Sequence, residues 1–435
     1  MERRTLALFC TAALCFWLFA LVFGPQQETM IEATATGEIE LQQAEAVQAQ
    51  QADEPQDKAI QTAGEAVEAT AEQAAVPAAA SLSLPCRAAI LIDQQTGTVL
   101  YEKNADERMP IASITKVMTL LLTFEAIHSG RLTIDTTVPV SEHAYQMGGS
   151  QIWLEPGEQM TLDEMLKAIC VSSANDAAVA VAELVGGSEE AFVEQMNARA
   201  TALGMTNTTF RNACGLDTEG HLSTARGVSI MSREIMNTCP EVLHYTGIWT
   251  DTLRNGQTQL VNTNKLLRRY SGITGLKTGT TSGAGVCISA SATRDGLHLI
   301  AVVLGSSSSA ERFEAATKLL DYGFAMYEAA PLPELPDRPL QLAVRGSAEE
   351  WVPLDYSTLP ESLLLEKGSG SALTAAIELP EQTEAPVQLG QAVGTVTIYN
   401  GEAVLGRYQI LAGADAPRLE FGDALRLMWE SLAGI

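Results

Sequence analysis

The sequence predicts an α+β protein of the α/β class: an antiparallel sheet with a helical subdomain, followed by a small all-β domain. Three observations carry this. Strand signals open the region 86–330 (Ala88–Asp93, Thr98–Glu102) and close it (Val286–Leu304), while helical signals fill its middle. From Pro331 the texture changes to short strand-like runs with Gly turns. Finally, 435 residues with 46 % hydrophobic and 18 % charged content provide for a substantial core and for more than one domain.

The elements follow in order. Gln94-Gln95-Thr96-Gly97 is a hairpin signal between the first two strands. A strongly apolar helix runs from about Ala112 to Ile127 and is closed by Gly130. Thr161-Leu162-Asp163-Glu164 is a capping box opening a helix from Leu162 to about Val171. A polar break at Ser172–Asn175 precedes a helix over Asp176–Val185, and Ser188 caps the next. Arg294-Asp295-Gly296 turns one late strand into the other, and Glu311 to Met326 is helical. Beyond the linker that starts at Pro331, Thr395–Tyr399 and Ala403–Ile410 read as strands. In 417–435, Phe421, Leu425, Met428, Leu432 and Ile435 recur at helical spacing; this amphipathic helix is either a membrane-interface anchor or a helix docked on the β domain.

Charge and cysteine usage narrow the function. Lys and Arg number 27 against 53 Asp and Glu, a net −26, which excludes nucleic acid as a partner. Eleven of the acids lie between Pro25 and Pro85, with one lysine (Lys58) and no aromatic residue, so 25–85 is a disordered acidic tether. Residues 1–24 place Arg3 and Arg4 before an uncharged apolar stretch, Leu6 to Phe23: a signal peptide or a signal anchor. Either puts the body of the protein outside the cytoplasm. The five cysteines beyond that segment (Cys86, Cys170, Cys214, Cys239, Cys287) are widely spaced, without C-x-x-C, and read as small core residues. Among the five histidines there is no H-E-x-x-H spacing, so neither a metal nor a cofactor is expected. His221 reads as a surface-loop histidine, and the Trp153 stretch as packing.

Three motifs carry chemistry: Ser113-Ile114-Thr115-Lys116, Ser173-Ala174-Asn175 and Lys277-Thr278-Gly279. Each is weak alone, but in this order the set is specific for penicillin-binding proteins and class A β-lactamases. Ser113 and Lys116 share one helix face a turn apart, among apolar neighbours that leave little water. Desolvation there disfavours an ammonium, and a neutral amine beside a hydroxyl makes an activated nucleophile. At a helix N-terminus Ser113 also has an N–H to offer an oxyanion. Ser173 and Asn175 fall in the break between helices, where short polar side chains are exposed. Lys277-Thr278-Gly279 precedes a strand, with Gly279 leaving room for a substrate against its backbone.

The chain resembles the low-molecular-mass penicillin-binding proteins that act as serine D-alanyl-D-alanine carboxypeptidases. The likeness extends over Pro110–Lys116, Ser150–Gly157, Ser173–Ala178, Gly215–Asp217 with Ser223–Ala225, and Gly275–Gly285, and covers roughly Cys86 to Tyr327. It implies a β-lactamase/transpeptidase-like catalytic domain over 86–330, a β-rich domain over 331–416 and a membrane-anchoring helix over 417–435. It also implies that Ser113 is acylated by the penultimate D-Ala of a peptidoglycan stem peptide, releasing the terminal D-Ala, and that β-lactam antibiotics inhibit. Lys116 would be the base, Ser173 the proton donor to the leaving amine, and Asn175 the holder of Lys116 and the substrate amide. Lys277 would keep Lys116 neutral and attract the substrate carboxylate, which Thr278 and Thr280 would bind beside Gly279. The N–H groups of Ser113 and Thr280 would form the oxyanion hole, and Arg312 would help hold the carboxylate. One departure is Gly227, where the family commonly carries an acid. A β-lactamase is the enzymatic alternative, but no E-x-x-L-N string lies between Asn175 and Lys277. A catalytically silent wall-binding protein is the other alternative, and the intact motifs speak against it.

Overall fold

The computed structural model describes residues 82–335, 337–369 and 372–422. Its central sheet has five antiparallel strands: β1 (Ala88–Asp93), β2 (Val99–Lys103), β3 (Ile273–Thr281), β4 (Gly285–Arg294) and β5 (Leu297–Ser306), in the order β2-β1-β5-β4-β3. The expected pairing of first and last strands is therefore found, with Ala88 opposite Leu304 and Asp93 opposite Leu299. Every residue of β1 is buried, because both of its faces are covered. Ile90, Ile92, Ile300 and Val302 face the helical subdomain; Ala89, Leu91, Ala301 and Val303 face the last helix of the catalytic region. That alternation is the strand's own geometric period of two, both faces here being apolar.

The helical subdomain comprises α1 (Lys116–His128), α2 (Leu162–Lys167), α3 (Asn175–Gly186), α4 (Glu189–Ala202) and α5 (Ala225–Thr238). Helix α1 runs through its centre and is buried nearly all round, from Val117 and Met118 to Phe124 and Ala126. Each Val, Met, Leu or Phe among them contributes about 1.5–3 kcal/mol on leaving water. The Thr161 capping box, the Ser188 cap and the Asp295-Gly296 turn are as expected, the turn with φ +49 and +80. On the other face of the sheet lies α6 (Ser309–Met326), whose Ala315, Ala316, Leu319 and Leu320 are fully buried.

Three local expectations are corrected. The apolar helix does not begin regularly at Ala112: Ala112–Thr115 form a 3₁₀ turn with Ala112 at φ +49, and α-geometry starts at Lys116. The helix expected to reach Val171 leaves α-geometry after Lys167 and ends in a π-turn over Ala168–Ser172. Lys277-Thr278-Gly279 lies within β3 rather than before a strand. Both helix irregularities fall beside chemistry-bearing serines, where local strain is commonly kept.

From α6 the chain continues into β6 (Tyr327–Pro331), β7 (Gln341–Arg345), β8 (Trp351–Asp355), β9 (Ser362–Glu366), β10 (Leu373–Glu378), β11 (Gln382–Glu384), β12 (Ala392–Asn400) and β13 (Ala403–Ala412). Six of them form a sheet in the order β10-β12-β13-β8-β7-β11, and β6 pairs with β9. The amphipathic helix expected over 417–435, and the segments 1–24 and 25–81, lie wholly or mostly outside the described residues. Among the described residues no helix is long and apolar enough to cross a membrane.

Candidate active site

The three motifs meet where α1, α3 and β3 converge. Lys116, although at the first turn of α1, is completely buried. Its Nζ lies 2.6 Å from Asn175 Oδ1, 2.7 Å from the Cys214 carbonyl and 3.0 Å from Ser113 Oγ. The Asn175 amide is oriented by its own donation to the Gly148 carbonyl at 2.7 Å. Burial lowers the Lys116 pKa from 10.5 to about 8. A neutral amine has two protons to give and one lone pair. Two fixed carbonyl acceptors therefore leave the lone pair for the Ser113 hydroxyl.

The π-turn delivers Ser173 in a left-handed conformation (φ 62, ψ 33), and its Oγ accepts from Lys277 Nζ at 2.8 Å. Ser173 and Asn175 were expected to be exposed; they are 5 % and 4 % exposed, Asn175 being bonded to the carbonyls of Gly148 and Ser150. Asp176 anchors the 148–154 segment by accepting from Ile152 and Leu154 N–H at 3.1 Å each. Arg254 holds the same segment through the Ile152 carbonyl at 2.9 Å. The clamped backbone turns the Trp153 ring outward, 78 % exposed at φ +59, so Trp153 is not the packing residue expected.

Lys277 is buried too, and donates also to the Thr278 carbonyl at 2.9 Å. Burial drives its pKa well down, and the neighbouring Lys116 lowers it further. Thr278 Oγ1 is 2.6 Å from Thr263 Oγ1, while Thr280 is exposed at the strand's end. Arg312 reaches β3 from α6 and donates to the Gly279 carbonyl at 3.3 Å and the Cys287 carbonyl at 3.2 Å, leaving its Nε buried without a partner.

Ser113 sits between two backbones at their closest approach. A Cβ on Gly215 would stand 1.9 Å from the Ala112 carbonyl oxygen, and one on Gly279 would stand 2.9 Å from Ser113 N. Only glycine fits either place. His221, expected on the surface, is 3 % exposed and bonded to Thr115. Gly227 leaves helix capping intact, since Thr224 accepts its N–H at 2.9 Å. The sequence reading missed the Cys214 and Gly148 carbonyls, for a main-chain acceptor leaves no mark in a motif. Among the described residues His128, Cys239 and Glu241 come within 4.8 Å of one another. They do not converge on one point: Glu241 meets Nε2 and Cys239 meets Nδ1, at opposite sides of the ring.

A buried lysine against a helix-start serine, a second buried lysine on an edge strand and a serine between them define a serine acyl-transfer enzyme with a lysine base. Comparison with known proteins agrees. Residues 71–308 match the family model described as D-alanyl-D-alanine carboxypeptidase, and 348–418 match the penicillin-binding protein 5 C-terminal domain. The chain is 41 % identical over 339 residues to D-alanyl-D-alanine carboxypeptidase DacF of Bacillus subtilis, covering 77 % of this chain and 87 % of that one. To DacC of Escherichia coli it is 36 % identical, over 73 % and 81 % of the two chains. Penicillin-binding protein 5 from Haemophilus influenzae superposes with a TM-score of 0.67 at 28 % identity, over 78 % of this chain and all of that one. Penicillin-binding protein D2 from Listeria monocytogenes, in a cefotaxime-bound form, gives 0.53 at 35 % identity, over 57 % of this chain and all of that one. The chain belongs to the D-alanyl-D-alanine carboxypeptidase family and is a hydrolase of the low-molecular-mass penicillin-binding class.

Proposed function

We propose that the protein removes the terminal D-Ala from peptidoglycan stem peptides through an acyl-enzyme on Ser113. The observation that carries this is the Lys116 amine, whose two fixed acceptors leave its lone pair for Ser113. Lys116 takes the Ser113 proton as Oγ attacks the carbonyl of the penultimate D-Ala. The N–H groups of Ser113 and Thr280 hold the oxyanion. Ser173 hands its proton to the departing amine and takes one from the Lys277 ammonium bonded to it, so the C–N bond breaks and D-Ala leaves neutral at nitrogen. Asn175 keeps Lys116 in place and takes the substrate amide. Lys277, Thr278, Gly279 and Thr280 receive the terminal carboxylate along β3, and Arg312 adds positive potential through the same strand. That carboxylate also compensates a proton held on Lys277. Water then cleaves the ester, giving one proton back to Lys277 through Ser173 while the Lys116 ammonium returns its proton to Ser113 Oγ. A β-lactam presents a strained amide and a carboxylate to the same groups and stays bound to Ser113 as an ester.

The surroundings are part of the proposal. The catalytic domain spans 86–330 and the β domain 331–416. The acidic tether 25–85 links them to an apolar segment (Leu6–Phe23) that directs export, and 417–435 anchors as a helix at the outer face of the membrane; the uncharged apolar run supports the first and the helical spacing of Phe421, Leu425, Met428, Leu432 and Ile435 the second. Fractionation of cells expressing the full chain and one truncated at Ala416 checks the second point, with release of the truncated form from membranes expected. For the reaction, purified protein is given diacetyl-L-Lys-D-Ala-D-Ala and free D-Ala is quantified. Release by the parent and none by Ser113→Ala is expected; equal release by both removes Ser113 from the mechanism.

A further inference from the structure

His221 closes a hydrogen-bond chain that ends on the residue before Ser113. Its ring is buried in the Gly215–Ala225 loop, edge-on to Phe210. Nδ1 accepts the Arg211 backbone N–H at 3.1 Å, so the neutral ring carries its proton on Nε2. Burial brings the imidazole pKa down to about 4, which keeps that neutral form in place near neutral pH. Nε2 lies 2.8 Å from Thr115 Oγ1, and Thr115 donates its one hydroxyl proton to the Ala112 carbonyl at 2.8 Å. A hydroxyl that has spent its proton can only accept from the ring. The direction of every bond is therefore fixed, from Arg211 through His221 and Thr115 to Ala112.

The far end matters because a peptide unit is rigid and planar. The carbonyl of Ala112 and the N–H of Ser113 belong to one such unit, so whatever holds the first aims the second. This unit is under strain: Ala112 stands at φ +49, and its carbonyl oxygen is pressed against Gly215. Without the Thr115 hydroxyl, no other side chain donates to that oxygen among the described residues.

We propose that His221 and Thr115 are positioning residues that lock the Ala112–Ser113 peptide and thereby aim the Ser113 N–H at the oxyanion formed when Ser113 is acylated. This rests on the reading of Ser113 as the nucleophile. Neither side chain touches the substrate. Both act through the main chain.

Acylation by a fluorescent penicillin, followed by stopped flow on the full chain, tests it. Thr115→Val removes the hydroxyl at nearly constant volume. It should lower the acylation rate constant by about tenfold to a hundredfold, the range for a misplaced catalytic group, while the label still reaches one per chain. His221→Gln offers an amide oxygen to Arg211 and an amide N–H to Thr115, and should recover most of the rate that His221→Leu loses. The Thr115→Val/His221→Leu double variant should lose no more than its worse single, since both cut one chain. A Thr115→Val rate within twofold of the parent overturns the proposal, as does lower labelling stoichiometry at an unchanged rate, which marks a structural role only. If His221→Leu does not fold, Thr115→Val and His221→Gln decide. A parent not labelled at Ser113 overturns the nucleophile reading, and this one with it; a labelled parent with an unaffected Thr115→Val overturns this one alone.

Discussion

The catalytic region and the β domain after it bury different things. In the first, Lys116, Asn175, Asp176, His221, Lys277 and Arg312 all lie within the core, each 5 % exposed or less. In the second, the two core clusters are small and aliphatic (Leu342, Val344, Val352, Val387, Ala412, Ala416; Leu363, Leu365, Val396, Ile398, Ile410), and Thr397 is the one buried polar residue among those described. Burying charge without water is costly, and a protein retains it where the altered proton affinity is used. The buried ionisable groups therefore gather in the catalytic region, while the β domain buries aliphatic side chains.

Breaking the contrast at its strongest point gives the largest effect. Ser113→Ala should abolish penicillin labelling and lower D-Ala release by more than about 10⁴-fold, with an unchanged circular dichroism spectrum. Lys277→Ala comes next: losing the amine that the bound carboxylate keeps protonated beside Ser173 should lower kcat/KM by about 10²–10³-fold, read in the same D-Ala assay. The pH profile sharpens the comparison further. Since Lys116 must be neutral to accept a proton and its pKa lies at about 8, kcat/KM should climb with pH below that value and level off above it. A flat profile from pH 6 to 9 would remove Lys116 as the base. In the β domain the order reverses, with stability affected and catalysis spared. Ile398→Ala should cost that domain about 2–5 kcal/mol by denaturant melting and leave the penicillin acylation rate unchanged.

The legible parts of this protein were those that local chemistry dictates. Short, almost wholly apolar runs in Ala88–Asp93 and Leu297–Ser306, the Thr161 capping box and the Asp295-Gly296 turn each encode their own conformation, and the three motifs named the residues that converge. What escaped depends on distant partners. Nothing near Ser173 announces a π-turn, whose wider geometry is held by packing rather than propensity. His221 looked solvated because its partners, Thr115 and the Arg211 N–H, belong to another helix and another turn. Trp153 looked like core because aromatic rings usually are; Asp176 and Arg254 hold its backbone so that the ring cannot turn inward.

The glycine pair around the nucleophile has an evolutionary consequence. At Gly215 and Gly279 the walls of the site are main chain, and every amino acid other than glycine adds a carbon that collides with Ala112 or Ser113. Selection by an antibiotic works by exchanging side chains, and here there are none to exchange. Adaptation at these two positions is closed, and it has to start from side chains beside them, such as the exposed Thr280.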